Sequence, residues 1–166
     1  MNRMREIRIE KVVLNVGCGG DLEKIERAKK MLEMLTGKKP VVTKSKKRST
    51  FGIAKGKPVG VKVTLRKRDA EEFLKRIFEA KKYTISSNQI DEQGNFSIGV
   101  AQYFELPGVR YNHEIGTLGF DVCVTLERPG YRVKKRKVKK ANIGKKHKIT
   151  KEETIEWLKM RGVNVL

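Results

Sequence analysis

The chain has 166 residues, and 39 Lys and Arg against 19 Asp and Glu give it a formal net charge of +20. The length predicts one domain over residues 1–166, and the charge favours nucleic acid as the partner, ahead of an anionic membrane surface. No apolar run of about 20 residues and no signal-peptide core are present, and the two cysteines lack zinc-ligand spacing, so we expect a cytoplasmic protein without a metal or a membrane partner.

Residues 7–20 are predicted to form a strand and then a tight glycine turn that leads into a helix. Side chains alternate along a strand, so one face carries Val12, Leu14 and Val16. The opposite face carries Val13 and Asn15, together with Lys11. We expect later strands to share this division, with one sheet face under helices and the other facing RNA.

Helical spacing predicts three helices. Asp21 caps the first, which ends at Gly37, and its apolar positions are Leu22, Ile25, Leu32 and Leu35. Asp69 is the predicted cap of the second, whose apolar stripe comprises Ala70, Phe73, Leu74, Ile77 and Phe78. Thr150 and Glu153 form a predicted capping box that opens a C-terminal helix, within residues 150–166.

Further strands are predicted at 40–43, 59–66, 96–101 and 120–126, with a short one near Tyr83. The order β-α-β-β-α-(β)-β-β-α indicates an α+β fold with an antiparallel or mixed sheet and helices packed on one face. This arrangement is like a ferredoxin-like split β-α-β with added basic loops.

Two segments contain many cations and no acid. Residues 44–57 have neither a helical nor a strand period, and we predict a long mobile loop there. Residues 128–149 include eleven Lys or Arg and should form an extended basic segment or a loop, because they cannot bury an apolar face. Such segments neutralise phosphates, so binding should depend strongly on salt.

No grouping of residues indicates catalysis. The glycine turn at 17–20 lacks a dinucleotide or Walker pattern, and His113-Glu114 lacks the second histidine of a metalloprotease motif. The alternatives are a small ferredoxin-like hydrolase and a generic nucleic-acid-binding protein for single strands. The second needs outward aromatics, of which Tyr103 is the best candidate, so folded RNA fits better.

Several stretches resemble one family over essentially the whole chain and in one order. They are MREIRIEKVVLNVG, LTGKKPVVTKSKKRSTFGIAKGKPVGVKVTLR, GNFSIGV, GTLGFDVCVTLERPG and KKHKITKEETIEWL. These motifs are similar to those of the universal large-subunit ribosomal protein L5 family. The short N-terminus and the basic RPGYRVKKRK segment resemble its archaeal and eukaryotic branch.

The resemblance implies a structural constituent of the ribosome, without catalysis or cofactor. It implies binding to 5S rRNA, its attachment in the central protuberance, and contacts with large-subunit rRNA and neighbouring 5S-binding proteins. It also implies an intersubunit bridge to a small-subunit head protein of the S13 family, and contact between the 44–57 loop and P-site tRNA. The expected location is the cytoplasm, bound to the ribosome.

The family's 5S-contacting asparagine and threonine correspond to Asn15 and Thr64, which already face outward in the strand prediction. Lys38 stands where bacterial relatives have a glutamine, and the outward Lys62 and Arg66 complete the predicted rRNA site. The predicted tRNA-contacting residues are Lys44, Lys46, Lys47, Arg48, Lys55 and Lys57. The additional rRNA contacts are predicted at Arg132, Lys134, Lys135, Arg136 and Lys137.

Overall fold

A computed structural model describes residues 2–50 and 52–166. The strands are β1 (Arg8–Gly17), β2 (Val41–Lys44), β3 (Pro58–Leu65), β4 (Thr84–Ile85), β5 (Phe96–Val100), β6 (Phe120–Glu127) and β7 (Asn164–Val165). The helices are α1 (Leu22–Thr36), α2 (Lys67–Ala80), α3 (Arg132–Lys135) and α4 (Lys151–Lys159). The predicted order of elements is confirmed, with α3 and β7 in addition.

Five strands form one sheet in the order β2-β3-β1-β6-β5. β2 and β3 pair antiparallel, with Val41 opposite Lys62. The α+β prediction is confirmed, because the five-stranded sheet is antiparallel and helices pack against it. The predicted strand near Tyr83 is β4, which pairs in parallel with β7 in a separate two-stranded sheet.

Contacts between residues divide the chain into two compact units. The single domain over residues 1–166 therefore stays a prediction. The unit formed by Val13–Leu65 and Ile98–Cys123 contains α1. Asp21 caps α1 by accepting from the backbone N–H groups of Glu23 and Lys24, and Gly37 ends it at a φ of 64°. The buried positions of α1 are Ile25, Ala28, Met31, Leu32 and Leu35. This unit therefore has an apolar core between α1 and the strands.

The other unit, formed by Met1–Val12, Arg66–Ser97 and Val124–Leu166, contains α2 and α4. Phe78 of α2 stacks on Phe96 at 6.5 Å between ring centroids, and Phe96 also contacts Trp157 of α4. The predicted capping box of α4 is present, since Thr150 accepts from the Glu153 N–H and Glu153 accepts from the Thr150 N–H. The apolar faces of both helices thus share one core.

The predicted cap of α2 was wrong. α2 begins at Lys67, its N-cap is the extended residue Arg66, and Asp69 lies in the first turn. The helix follows β3 almost directly, so no residue remains between them for a side-chain cap. A carboxylate in the first turn still interacts favourably with the positive end of the helix dipole. None of the helices over the described residues is long and apolar enough to span a bilayer.

Candidate nucleic-acid interface

Burial alternates along the central strands. Leu14 and Val16 of β1 are buried, while Val13 and Asn15 are half-buried. In β3 the residues Val61, Val63 and Leu65 are buried. The residues on the other side form what we call the open sheet face of this unit: Val13, Asn15, Val41, Thr43, Gly60, Lys62, Thr64, Gly99, Asp121 and Cys123. The outward orientation predicted for Asn15, Lys62 and Thr64 is confirmed.

Backbone pairing brings the predicted 5S-contacting residues together. The Cys18 N–H donates to the Val59 carbonyl at 2.9 Å. Asn15 of β1 lies on the strand beside Lys62 and Thr64 of β3, and all three residues are on the same side of the sheet. Facing and diagonal neighbours on adjacent strands are about 4.5–8 Å apart, so one RNA segment can touch residues of both strands.

The polar groups of this face are available to a ligand. Within residues 2–50 and 52–166, the side chains of Asn15, Lys62 and Thr64 make no hydrogen bond with the protein. The backbones of β1 and β3 approach each other closely in this part of the sheet, since a Cβ at Gly60 would lie 2.5 Å from the Val16 carbonyl oxygen. The face is therefore a rigid surface with free donors and acceptors.

Asp121 and Cys123 of β6 complete this face, and both are exposed. Partial burial raises the pKa of the Cys123 thiol, and the Asp121 carboxylate raises it further. Neither residue was assigned to the predicted rRNA site. The alternation of β6 could have identified them, because Phe120, Val122 and Val124 are the buried positions.

Lys38 and Arg66, the remaining predicted rRNA-binding residues, lie outside the open sheet face. Lys38 is exposed immediately after the end of α1. Arg66 belongs to the other unit, where its guanidinium donates to the Glu10 carbonyl at 3.4 Å and lies 3.8 Å from the Glu10 carboxylate. Part of the charge of Arg66 is therefore compensated within the protein.

Residues 44–57 extend the β2–β3 hairpin into an arm, of which Phe51 lies outside the described residues. The Ser45 N–H donates to Lys57 and the Gly56 N–H to Ser45 at its base. Nearer the tip, the Ser49 N–H donates to Ile53 at 2.9 Å. All six predicted tRNA-contacting cations are exposed. The arm thus presents its charges to solvent on a hydrogen-bonded base.

Residues 128–149 fold back on themselves, so of the two predicted forms, an extended segment or a loop, the structure has a loop and not the extended segment. They contain α3 and a 3₁₀ turn at Lys145–His147. Arg128, only 4% exposed, donates to the carbonyls of Arg5, His147 and Lys148 and to the Glu153 carboxylate at 2.8 Å. Composition indicated no fold because the anchoring partners lie at the ends of the segment and outside it.

A second group of bonds closes the same segment. The Tyr131 hydroxyl donates to the His147 carbonyl and accepts from the Ile149 N–H at 2.9 Å, while His147 Nε2 lies 2.9 Å from the Pro129 carbonyl. Burial raises the pKa of Tyr131. For Glu153, burial acts to raise the pKa, but the hydrogen bonds from Arg128 and the Thr150 N–H outweigh it, and the pKa is lowered. The closed ends leave the cations between them exposed.

Lys135 differs from the other predicted cations of this segment. Its ammonium lies 2.6 Å from the Glu10 carboxylate and 3.3 Å from that of Glu127. The Glu10 side chain is only 9% exposed, whereas the Lys135 side chain remains half-exposed. Nothing in the sequence pairs residue 10 with residue 135. The other four predicted rRNA-contacting cations of the segment are exposed: Arg132, Lys134, Arg136 and Lys137.

Tyr103 is buried, so the prediction that it faces outward was wrong. Its hydroxyl accepts from the Asn112 N–H at 2.7 Å and donates to the Asn112 carbonyl. The residue lies after β5, where the strand alternation no longer holds. The open sheet face therefore has no aromatic side chain on which a base could stack.

An uncovered polar sheet face, an exposed cationic arm and a closed cationic segment define a basic α+β protein of the RNA-binding class. Residues 2–53 match the family model described as ribosomal protein L5, and residues 58–157 match the model that describes the C-terminus of the same ribosomal family. The chain belongs to the ribosomal protein L5 family. Members are structural ribosomal proteins and not enzymes, which excludes the hydrolase alternative.

The relatives are archaeal proteins described as large ribosomal subunit protein uL5. The protein from Sulfurisphaera tokodaii is 48% identical over 161 residues, which cover 96% of this chain and 91% of the relative. Those from Archaeoglobus fulgidus and Nanoarchaeum equitans are 46% and 43% identical, over 99% and 98% of this chain and 92% and 98% of their own length. The predicted resemblance is thereby confirmed, and the chain is a cytoplasmic ribosomal constituent.

Proposed function

We propose that this protein binds 5S rRNA through the open sheet face and helps attach it to the large subunit in the central protuberance. The observation that supports this most directly is the grouping of Asn15, Lys62 and Thr64 on one face, with side chains that have no partner in the described residues. Rigid strand positions can fix the register of folded RNA, because their backbone is already ordered before binding.

The two cationic segments act on other partners in this proposal. The arm at 44–57 contacts P-site tRNA, and Arg132, Lys134, Lys135, Arg136 and Lys137 contact large-subunit rRNA. Exposed Lys and Arg neutralise phosphates without reading sequence, so these contacts should be salt-dependent. A bridge to a small-subunit head protein of the S13 family and contacts with neighbouring 5S-binding proteins belong to the same proposal.

The test is a binding titration with folded 5S rRNA and with an unstructured RNA of equal length, each at two salt concentrations. We expect a preference for 5S rRNA that persists at the higher salt concentration. Equal affinities that fall together with salt would contradict site-specific recognition, because a polycation alone behaves in that way. They would favour the generic nucleic-acid-binding alternative.

Variants separate the face from the arm. Asn15→Ala and Thr64→Ala should weaken 5S binding, whereas the matched controls Asn88→Ala and Thr117→Ala, at exposed positions outside the face, should not. Deletion of residues 46–55 should spare 5S binding and weaken binding to tRNA. Equal loss of 5S affinity in the face variants and in the deletion would contradict this division of roles.

A further inference from the structure

The open sheet face is nearly neutral in a chain whose net charge is +20. Its charged residues are Lys62 and Asp121, which cancel formally. A face that bound RNA chiefly through phosphates would carry several cations and no carboxylate, because an unpaired carboxylate repels phosphate. The charge of this face thus indicates that it recognises other groups of the RNA.

The Asp121 carboxylate has no hydrogen-bond or ion-pair partner among the described residues. It is exposed on β6, and it makes neither a hydrogen bond nor an ion pair with any residue in 2–50 or 52–166. An ionised carboxylate only accepts hydrogen bonds, with about four lone-pair sites on two oxygens. The group that satisfies Asp121 must therefore be a donor.

Gly99 lies beside Asp121 on the neighbouring strand β5. A Cβ built at Gly99 would meet nothing nearer than the Asp121 Oδ1, at 3.7 Å, which is ordinary contact. The φ of Gly99 is not positive, so the backbone does not require glycine. Glycine weakens the interior of a strand, and it often marks a bulge or a place where a ligand or another backbone approaches closely. Apart from the two chain neighbours of Gly99, no backbone atom of the described residues lies within 4 Å of a Cβ built there, which leaves room for a ligand.

We propose that Gly99 and Asp121 form an acceptor site for a hydrogen-bond donor of the bound RNA. The donor is a ribose 2′-hydroxyl or the N1–H and N2 amino edge of a guanine, which present the same chemistry to a carboxylate. The missing side chain at Gly99 lets the nucleotide approach the strand, and Asp121 receives its donor. Asp121 then contributes to specificity, while Lys62 and the cationic segments supply the attraction to phosphate. This inference rests on the proposed binding of 5S rRNA.

The inference is tested by whether 5S rRNA binds more weakly or more tightly when the Asp121 carboxylate is removed. A carboxylate that merely lies near phosphates weakens binding, so its removal would strengthen it. A carboxylate that accepts a hydrogen bond has the opposite effect, and Asp121→Ala should weaken 5S binding about tenfold, with an unchanged salt slope. Asp121→Asn, which keeps one acceptor oxygen, should lose less. Unchanged or tighter binding by Asp121→Ala would overturn the inference.

Two further variants complete the experiment. Glu92→Gln removes one negative charge at an exposed position outside the face and should bind 5S rRNA as well as the wild type or slightly better. Gly99→Ala should unfold at a urea midpoint equal to or above that of the wild type, because its Cβ meets no clash and alanine restricts the unfolded chain, and it should bind more weakly. Unchanged affinity of Gly99→Ala for 5S rRNA would show that no nucleotide approaches the strand closely at Gly99, and it would overturn the proposed acceptor site.

Analogue interference distinguishes the two donors. Pools of 5S rRNA that carry scattered 2′-deoxynucleotides, or inosine in place of guanosine, are selected for binding to the wild type and to Asp121→Ala. A position at which an analogue reduces binding only to the wild type identifies the donor, and the absence of any such position overturns the site. If the wild type itself shows no preference for 5S rRNA, the proposed function fails; if the preference exists and the variants do not reduce it, only this inference fails.

Discussion

The two cationic segments of this protein have similar composition and different structure. The arm at 44–57 has no buried residue among those described, and hydrogen bonds between backbone groups hold its base. The segment at 128–149 begins at the buried Arg128 and ends at the buried Ile149, with side-chain bonds between its two ends. A run of positive charge therefore does not decide whether a segment folds. The residues that flank it do.

The largest effect on stability is expected when Arg128 is replaced. This residue anchors the 128–149 segment, and the arm at 44–57 has no buried residue of this kind among those described. Arg128→Met removes donors to three backbone carbonyls and to Glu153. Because the partly buried acceptors lose the buried guanidinium that pairs with them, we expect a loss of about 3 kcal/mol in the free energy of unfolding. Urea denaturation measures it, and hydrogen exchange at Ala141 and Ile149 should accelerate.

Arg132→Met is the matched control, since it changes the same charge at an exposed position of the same segment. Its free energy of unfolding should stay within about 0.5 kcal/mol of the wild type. Equal losses in both variants would mean that Arg128 has no special role, and the contrast between the two segments would disappear.

A smaller effect follows from acid. The pKa of Glu153 is lowered in the folded protein, so its contribution to stability is fully present above its unfolded pKa and is lost as the pH falls through the lower folded pKa. The urea midpoint of the wild type should therefore approach that of Glu153→Gln as the pH is reduced below about 4.5, since that variant lacks the titrating group. A constant difference between the two proteins across this range would contradict the role of the Glu153 charge.

Lys135 sharpens the comparison within the closed segment. Lys135→Met should cost at most about 1 kcal/mol in the free energy of unfolding, because the lysine is half-exposed and screening weakens its ion pairs. It should change the salt slope of RNA binding less than Lys134→Met does, since Lys134 has no carboxylate beside it in the described residues. For Lys134→Met we expect a decrease of about 0.7–0.9 in the slope. A larger decrease of the salt slope in Lys135→Met than in Lys134→Met would assign the phosphate contact to Lys135.

The smallest effect is expected in the arm. Replacing Lys46, Lys47 and Arg48 together by alanine removes three exposed cations. The free energy of unfolding should stay within about 0.5 kcal/mol of the wild type, because surface substitutions away from packed groups rarely exceed that. A clear loss of stability in urea denaturation would show that the arm contributes to the fold, contrary to its exposure.

Much of the candidate site followed from local pattern. Asn15 and Thr64 were placed on the uncovered side of the sheet by alternation alone, and the Thr150–Glu153 capping box by its spacing. Tyr103 was misplaced because it lies just beyond β5, where the period of two ends. Asp69 was misplaced as a cap because a strand and a helix meet at Arg66 without an intervening turn.

The sequence by itself determined most of the elements, the inward and outward sides of the central strands, and the charge that selects a polyanionic partner, because each depends on neighbours within a few residues or on composition. Only the tertiary structure decided the closure of the 128–149 segment, the pairing of Lys135 with Glu10, and the meeting of β4 with β7. The physical reason is the same in each case. These contacts join residues far apart in the chain, and local patterns contain no record of which distant residue will be near.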